Sequence, residues 1–338
     1  MTELEKLHDE LYAPSNALVQ DLSVLDGDIM ILGAGGKMGP SLAVKAKSAL
    51  MKAGKNSRVM AVSRFSDKSI IARLEKQGID IIKTELLEEK QLQGLPEVKN
   101  IIFMAGTKFG TTGNEPYTWA MNSYLSGRVA EKFRDSRIVV FSTGNVYPYM
   151  PADSGGSTEE TRPDPVGEYG QSCLGRERIF QYFSGKNHTP TLLFRLNYAI
   201  DFRYGVLLEI GRMVKSGEKI DLRTGFVNVI WQGDADEYAL RSLKLCSSPS
   251  AIFNITGPKT ESVRKIAGEF GKRFGKAPDF INTEQPTALL SNASRVGKLL
   301  GHPRVNLQMM IDALSKWLSE GGETIDKPTH FQERKGKF

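Results

Sequence analysis

Cysteine is nearly absent from this chain: Cys173 and Cys246 are its two copies in 338 residues, too few for a disulfide framework and in keeping with a reducing compartment. Histidine is almost as scarce. His8, His188, His302 and His330 are scattered, and neither they nor the cysteines have metal-ligand spacing, so no metal is expected. No run approaches the ~20 apolar residues that a membrane helix needs. The opening MTELEKLHDE has neither the basic nor the apolar stretch of a targeting segment, so the expected compartment is the cytoplasm, with no membrane partner. Charge imbalance is also small. Lys and Arg number 45 against 39 Asp and Glu, and the resulting +6 is spread out, which argues against nucleic acid and suits an anionic small molecule. What remains, 40% hydrophobic and 25% charged, is the balance of a soluble globular protein. The length suits one large α/β domain, alone or with a smaller lobe.

Strand and helix patterns alternate through the first two thirds. Apolar, β-branched runs fall at 28–32, 58–63, 79–83, 100–104, 138–142 and 191–196. Helical periodicity fills 39–53, 69–77, 118–133 and 169–183. This rhythm predicts βαβ units and a doubly wound parallel Rossmann sheet, an α/β fold, over residues 28–200. A polar, partly helical leader precedes it at 1–27. After Asn197 the rhythm weakens. Helices at 205–216, 234–246, 262–274 and 306–318, with strands at 225–231 and 251–255, predict a smaller C-terminal α/β substrate lobe over 201–320, followed by a polar tail at 321–338. The Pro-, Gly- and acid-rich stretch 148–165 reads as a long loop of the kind that often serves function.

The run 28–32 leads straight into Gly33-Ala34-Gly35-Gly36-Lys37-Met38-Gly39 and then into a helix. Strand, glycine loop and helix in that order make a dinucleotide phosphate loop. Gly33 permits the tight turn, Gly36 lets backbone approach a pyrophosphate, and Gly39 lets the helix pack on the strand. The helix N-terminus then offers its amides to the phosphates. The second strand ends at Ser63-Arg64, where an NAD enzyme usually has Asp or Glu for the ribose 2′-OH. A hydroxyl and a guanidinium suit a 2′-phosphate, which favours NADP over NAD.

With LGAGGKMG (32–39), TELL (84–87), IIFMAG (101–106), WAMNSYLSG (119–127), FSTGNVYP (141–148), YGQSC (169–173), FNITGP (253–258) and KWL (316–318) in this order, the chain resembles the extended short-chain dehydrogenase/reductases of the NAD-dependent epimerase/dehydratase group. The resemblance covers about residues 28–320. It implies that Thr143 polarises the substrate oxygen, that Tyr169 is the acid/base of a Tyr-x-x-x-Lys motif, and that Asn122 steadies the active-site helix and its water. Glu85 with Leu86 corresponds to the adenine contact, and Ala105 and Gly106 to the cofactor-facing turn after the fourth strand. Lys108, Asn145, Tyr147, Asn197, Tyr198 and Trp231 are the expected substrate-side set. The resemblance also implies a homodimer through helices 118–133 and 169–183.

The motif lacks its lysine: Cys173 stands there, one helical turn past Tyr169 on the same face. A phenol of reference pKa ~10 thereby loses the ammonium that lowers it. Arg176 and Lys108 are the candidate substitutes. Three readings follow. The first is an NAD(P)-dependent oxidoreductase or epimerase, transferring hydride at a carbinol or carbonyl of a sugar, sugar acid or related polyol. The second is a fold-retaining enzyme with non-redox isomerase or lyase chemistry. The third is a non-catalytic NADP(H)-binding sensor or interaction protein.

Overall fold

A computed structural model describes residues 2–325 and 328–337. Its centre is a parallel sheet of seven strands: β1 (Ile29–Leu32), β2 (Val59–Ser63), β3 (Asp80–Lys83), β4 (Asn100–Phe103), β5 (Arg137–Thr143), β6 (Thr191–Leu196) and β7 (Ala251–Ile255). The spatial order is β7-β6-β5-β4-β1-β2-β3. Both faces of such a sheet are covered, so its central strands read as unbroken apolar runs; β1 and β4 are buried at every position. Six strands lie where the apolar runs predict them. The seventh is a correction to the division at residue 200: β7 comes from the segment read as lobe, yet it pairs with β6 from Ala251↔Leu192 to Ile255↔Leu196.

The helices that matter below are α1 (Glu3–Tyr12), α2 (Asn16–Ser23), α3 (Gly39–Lys52), α4 (Lys68–Lys76), α5 (Leu125–Lys132), α6 (Gly167–Asn187), α7 (Val206–Ser216), α8 (Gln232–Arg241), α9 (Val263–Phe274) and α10 (Leu307–Ser319). On one sheet face, Leu18 and Leu22 of α2 join Leu42 and Ala46 of α3 and Ala239 of α8 in a single core. On the other, Leu125, Val129 and Phe180 of α5 and α6 pack under β4 and β5. A separate core holds α7, α9 and α10 together with Leu11 of α1 and Trp231. The leader is thus built into the fold. Thr2 and Glu5 form a capping box at the start of α1, and Ser15 caps α2.

Two helices differ from expectation. The pattern at 118–133 is three pieces: an α-turn at Glu115–Trp119, a π-turn at Ala120–Tyr124, and α5. The wider π-turn surrounds Asn122 and re-aims its side chain, which a 3.6-residue period does not reveal. Helix α6 begins earlier than expected, at Gly167 (φ 78°), where the backbone of Gly336 crosses so closely that neither glycine has room for a Cβ.

Candidate functional site

A cavity of about 360 Å³ opens at the C-terminal ends of β1, β4, β5 and β6. The strand order reverses between β1 and β4, the crevice where doubly wound sheets place ligands. Gly33 leaves β1 at φ 95°, and a Cβ there would sit 2.6 Å from the Ala105 nitrogen. A Cβ on Gly39 would overlap the Ala34 carbonyl, and one on Gly35 would press on Ser63 Oγ at 2.6 Å. Gly36 differs. Its Cβ would meet only Gly33 O, at 3.5 Å, and the residue lines the cavity at the start of α3. The backbone is therefore bare where a side chain would fill the cradle, and the amide end of α3 lies behind it. The residues present fit a dinucleotide pyrophosphate. Lys37 folds across this space, with Nζ 3.1 Å from the centre of the Tyr204 ring and 4.5 Å from that of Phe109.

Across the cavity β5 ends at Thr143, whose Oγ1 accepts from Asn145 N at 3.1 Å and starts a short 3₁₀ turn. The Thr143 side chain and the Tyr169 phenol face the same cavity. Burial, and then the neighbouring Cys173, push that phenol well above its ordinary range; Thr143 and the Arg176 charge oppose them. Burial also pushes the Cys173 thiol up.

Lys108, in the loop after β4, points Nζ at this pair from 5.5 Å above the Tyr169 ring centre. Its burial lowers the ammonium to about 8, with Cys173 acting in the opposite sense. Arg176 is occupied elsewhere. Its Nη1 donates to Phe141 O (2.7 Å), its Nη2 to Ala105 O (2.9 Å) and Asn122 Oδ1 (3.0 Å), and its Nε to Asn122 O (3.2 Å). It ties β4, β5 and the π-turn together beneath the site.

Asn122 completes that brace. Its Oδ1 accepts from Thr107 N, and its Nδ2 donates to Thr107 O and Ser172 Oγ, each at 3.0 Å. With the Arg176 bond, both lone pairs and both N–H groups of the amide are taken by protein. The side chain steadies α6 and has no capacity left for the expected water.

Met38, Gly106, Asn145, Asn197 and Tyr198 also border the cavity. Tyr198 holds φ 44°, an unusual conformation for a residue with a Cβ and one found mostly at functional turns. Ser63, Arg64, Glu85 and Leu86 lie further along, at the ends of β2 and β3. There Arg64 Nη1 is 3.5 Å from Glu85 Oε2, while Glu85 Oε1 accepts from Leu87 N.

Two members of the expected substrate set are elsewhere. The Tyr147 ring is 1% exposed; its hydroxyl accepts from Arg195 Nη1 (2.6 Å) and donates to Asn254 Oδ1 (2.8 Å). Trp231 is fully buried in the lobe core, and its indole N–H donates to Leu11 O of α1 at 3.1 Å. Both aromatics are structural because a partner inside the protein satisfies the polar tip.

Residues 29–199 match the NAD dependent epimerase/dehydratase family. The chain belongs to that family. Its fold is shared with MoeE5, solved in complex with UDP-glucose and NAD (18% identity, TM-score 0.68), and with UDP-glucuronic acid 4-epimerase from Bacillus cereus in complex with NAD (18%, 0.70). Pal from Bacillus thuringiensis is similar too (15%, 0.72). Each alignment covers 87% of this chain and 99% of the other. No curated protein matches the chain.

Within this family fold, some wall residues have no signal in the motifs. Phe109 and Tyr204 enclose Lys37, and Thr329 arrives from the tail. That tail is anchored: Thr329 donates to Glu209 through N (2.8 Å) and Oγ1 (2.6 Å), Phe331 is buried, and Arg334 donates to Thr287 O (2.8 Å). Glu177 is the other omission. It accepts from Arg195 Nε (2.9 Å), Arg195 Nη2 (2.6 Å) and Ser142 Oγ (2.6 Å) in full burial. Its place two helical turns beyond Tyr169 was the available clue. Among the described residues no group of three or more His, Cys, Asp or Glu side chains is arranged to hold a metal, and no helix is long and apolar enough to cross a membrane.

Proposed function

We propose that the protein is an NAD(P)-dependent oxidoreductase or epimerase acting on a carbinol or carbonyl carbon of a sugar, sugar acid or related polyol. The observation that carries this reading is the pair Thr143 and Tyr169 lining one cavity with the bare backbone of Gly36. When bound, the nicotinamide supplies the hydride acceptor or donor. Thr143 holds the substrate oxygen, and Tyr169 moves its proton. Lys108 supplies from the β4 loop the cation that the family carries where Cys173 stands. It favours the phenolate electrostatically and, with an ammonium near 8, exchanges protons at working pH. A substrate bearing a carboxylate or phosphate suits Lys37 and Lys108 on the same wall.

At the adenosine end, Ser63 and Arg64 favour NADP over NAD. Helices α5 and α6 with the turns before α5 form the surface for a homodimer, supported by exposed Trp119, Tyr124 and Tyr182. Replacing both tyrosines by lysine is expected to halve the mass measured by light scattering. We place the protein in the cytoplasm.

The raised phenol and Cys173 favour a second reading, a binder of NADP(H) without turnover. The test is absorbance at about 340 nm, the reduced nicotinamide band, over a panel of sugars and sugar acids. Turnover that Tyr169→Phe abolishes supports the enzyme. Tight cofactor binding with no turnover across the panel supports the binder.

A further inference from the structure

A second cavity, of about 470 Å³, lies against another face of α3. Its volume falls within the ~300–1,000 Å³ typical of small-molecule sites. Helix α3 forms its floor with Ser41, Val44, Lys45, Ser48 and Lys52, which share a face at helical spacing. Helix α1 covers it with His8 and Tyr12, whose rings stack 4.7 Å apart. This roof comes from outside the family-matched residues 29–199.

The wall carries five cations, Lys37, Lys45, Lys52, Arg73 and Arg203, against the two acids Asp9 and Asp201. Asp201 is already engaged, accepting from Tyr12 O–H (3.1 Å) and Phe202 N (2.6 Å). Asp9 lies beside His8 at 3.5 Å. Arg73 of α4 and Arg203 of the turn after β6 come from separate parts of the chain; Arg203 opposes the charge on Arg73, and its Nε lies 3.8 Å from Asp201 Oδ2. Arg73 has no hydrogen bond or ion pair with any described residue. Lys45 is 2% exposed, and its Nζ also has no hydrogen-bond partner, although Asp236 stands near. A merely solvated surface has no reason to gather like charges from separate parts of the chain under a roof; a concave site where Arg73 and Lys45 keep unspent donors has one, an anion.

We propose that this cavity binds a small phosphate-bearing anion, with Arg73 and Arg203 as its forked donors and Lys52 as a further charge. Guanidinium matches phosphate oxygens in pairs, and a dianion relieves the repulsion among the cations.

The test is calorimetric titration of inorganic phosphate into the full chain, in buffer held at constant ionic strength with chloride. One site with Kd of about 1 mM or tighter is expected. Arg73→Gln and Arg73→Gln/Arg203→Gln are expected to weaken it, the double variant at least about tenfold. Phosphate is also expected to raise the melting temperature of the unmodified chain more than that of Arg73→Gln, whose side chain holds nothing in the fold. Absence of binding up to about 10 mM, or binding by the double variant equal to that of the unmodified chain, overturns the proposal. The second result would place phosphate on the glycine loop instead.

Discussion

The Lys108 ammonium lies 5.5 Å from the centre of the Tyr169 ring, on the side where Cys173 leaves no charge. Lys108→Met is therefore expected to reduce kcat at least about 100-fold, within the range of lost acid–base assistance. The pH sign follows from a folded value of about 8 against 10.5 unfolded. The ammonium is present below about pH 8 and lost above it, so turnover falls on that alkaline limb, and Lys108→Arg moves the limb upward. Stability runs the other way. The unfolded chain holds this proton more tightly, so stability rises between about pH 8 and 10.5. Lys108→Met is accordingly expected to melt a few degrees higher at pH 7. Equal kcat in Lys108→Met and the parent would remove Lys108 from the site.

Gly36 and Gly39 separate binding from folding. A Val side chain at 36 has space but occupies the pyrophosphate cradle, so Gly36→Val is expected to fold normally and lose cofactor binding by fluorescence titration. Ala at 39 collides with the Ala34 carbonyl, and Gly39→Ala is expected to lose about 1–3 kcal/mol in urea denaturation.

Cofactor choice rests on a competition at the ribose end. Arg64 is exposed and borrowed by Glu85 at 3.5 Å. Arg64→Ala should weaken NADP far more than NAD, and Glu85→Gln, by releasing the guanidinium, should strengthen NADP relative to NAD. Equal effects of Arg64→Ala on the two cofactors would sink the 2′-phosphate assignment.

The buried pair Glu177–Arg195 predicts a stability cycle. Glu177→Leu leaves a guanidinium without its partner inside the protein and is expected to cost about 3–5 kcal/mol. Glu177→Leu/Arg195→Met removes both charges and should recover part of that loss. Chemical denaturation of the two variants checks the order.

Much of this was legible in the chain because local rules decided it. The loop 33–39 needs its glycines wherever β1 runs into α3, and parallel strands buried on both faces announce themselves as apolar runs. Thr143 and Tyr169 were singled out by resemblance, and the structure brings both side chains to one cavity. Long-range choices were not legible. Nothing near Trp231 says that α1, some 220 residues earlier, will supply a carbonyl for its N–H. The apolar run of β7 suits a lobe or a sheet edge equally until β6 offers its free side. The π-turn at Asn122 changes the period by one residue, which side-chain patterning does not record. Lys108 sits in a loop, where no periodicity predicts direction.

The crossing of Gly167 and Gly336 also sets an order of events. The helix that presents Tyr169 starts beneath a residue 169 positions later in the chain. During synthesis from the N-terminus, the Rossmann strands β1 to β6 can pair while that brace is still missing. The start of that helix is therefore braced only once residue 336 has been made, and a nascent chain whose strands β1 to β6 have already paired still carries Tyr169 on an unbraced helix.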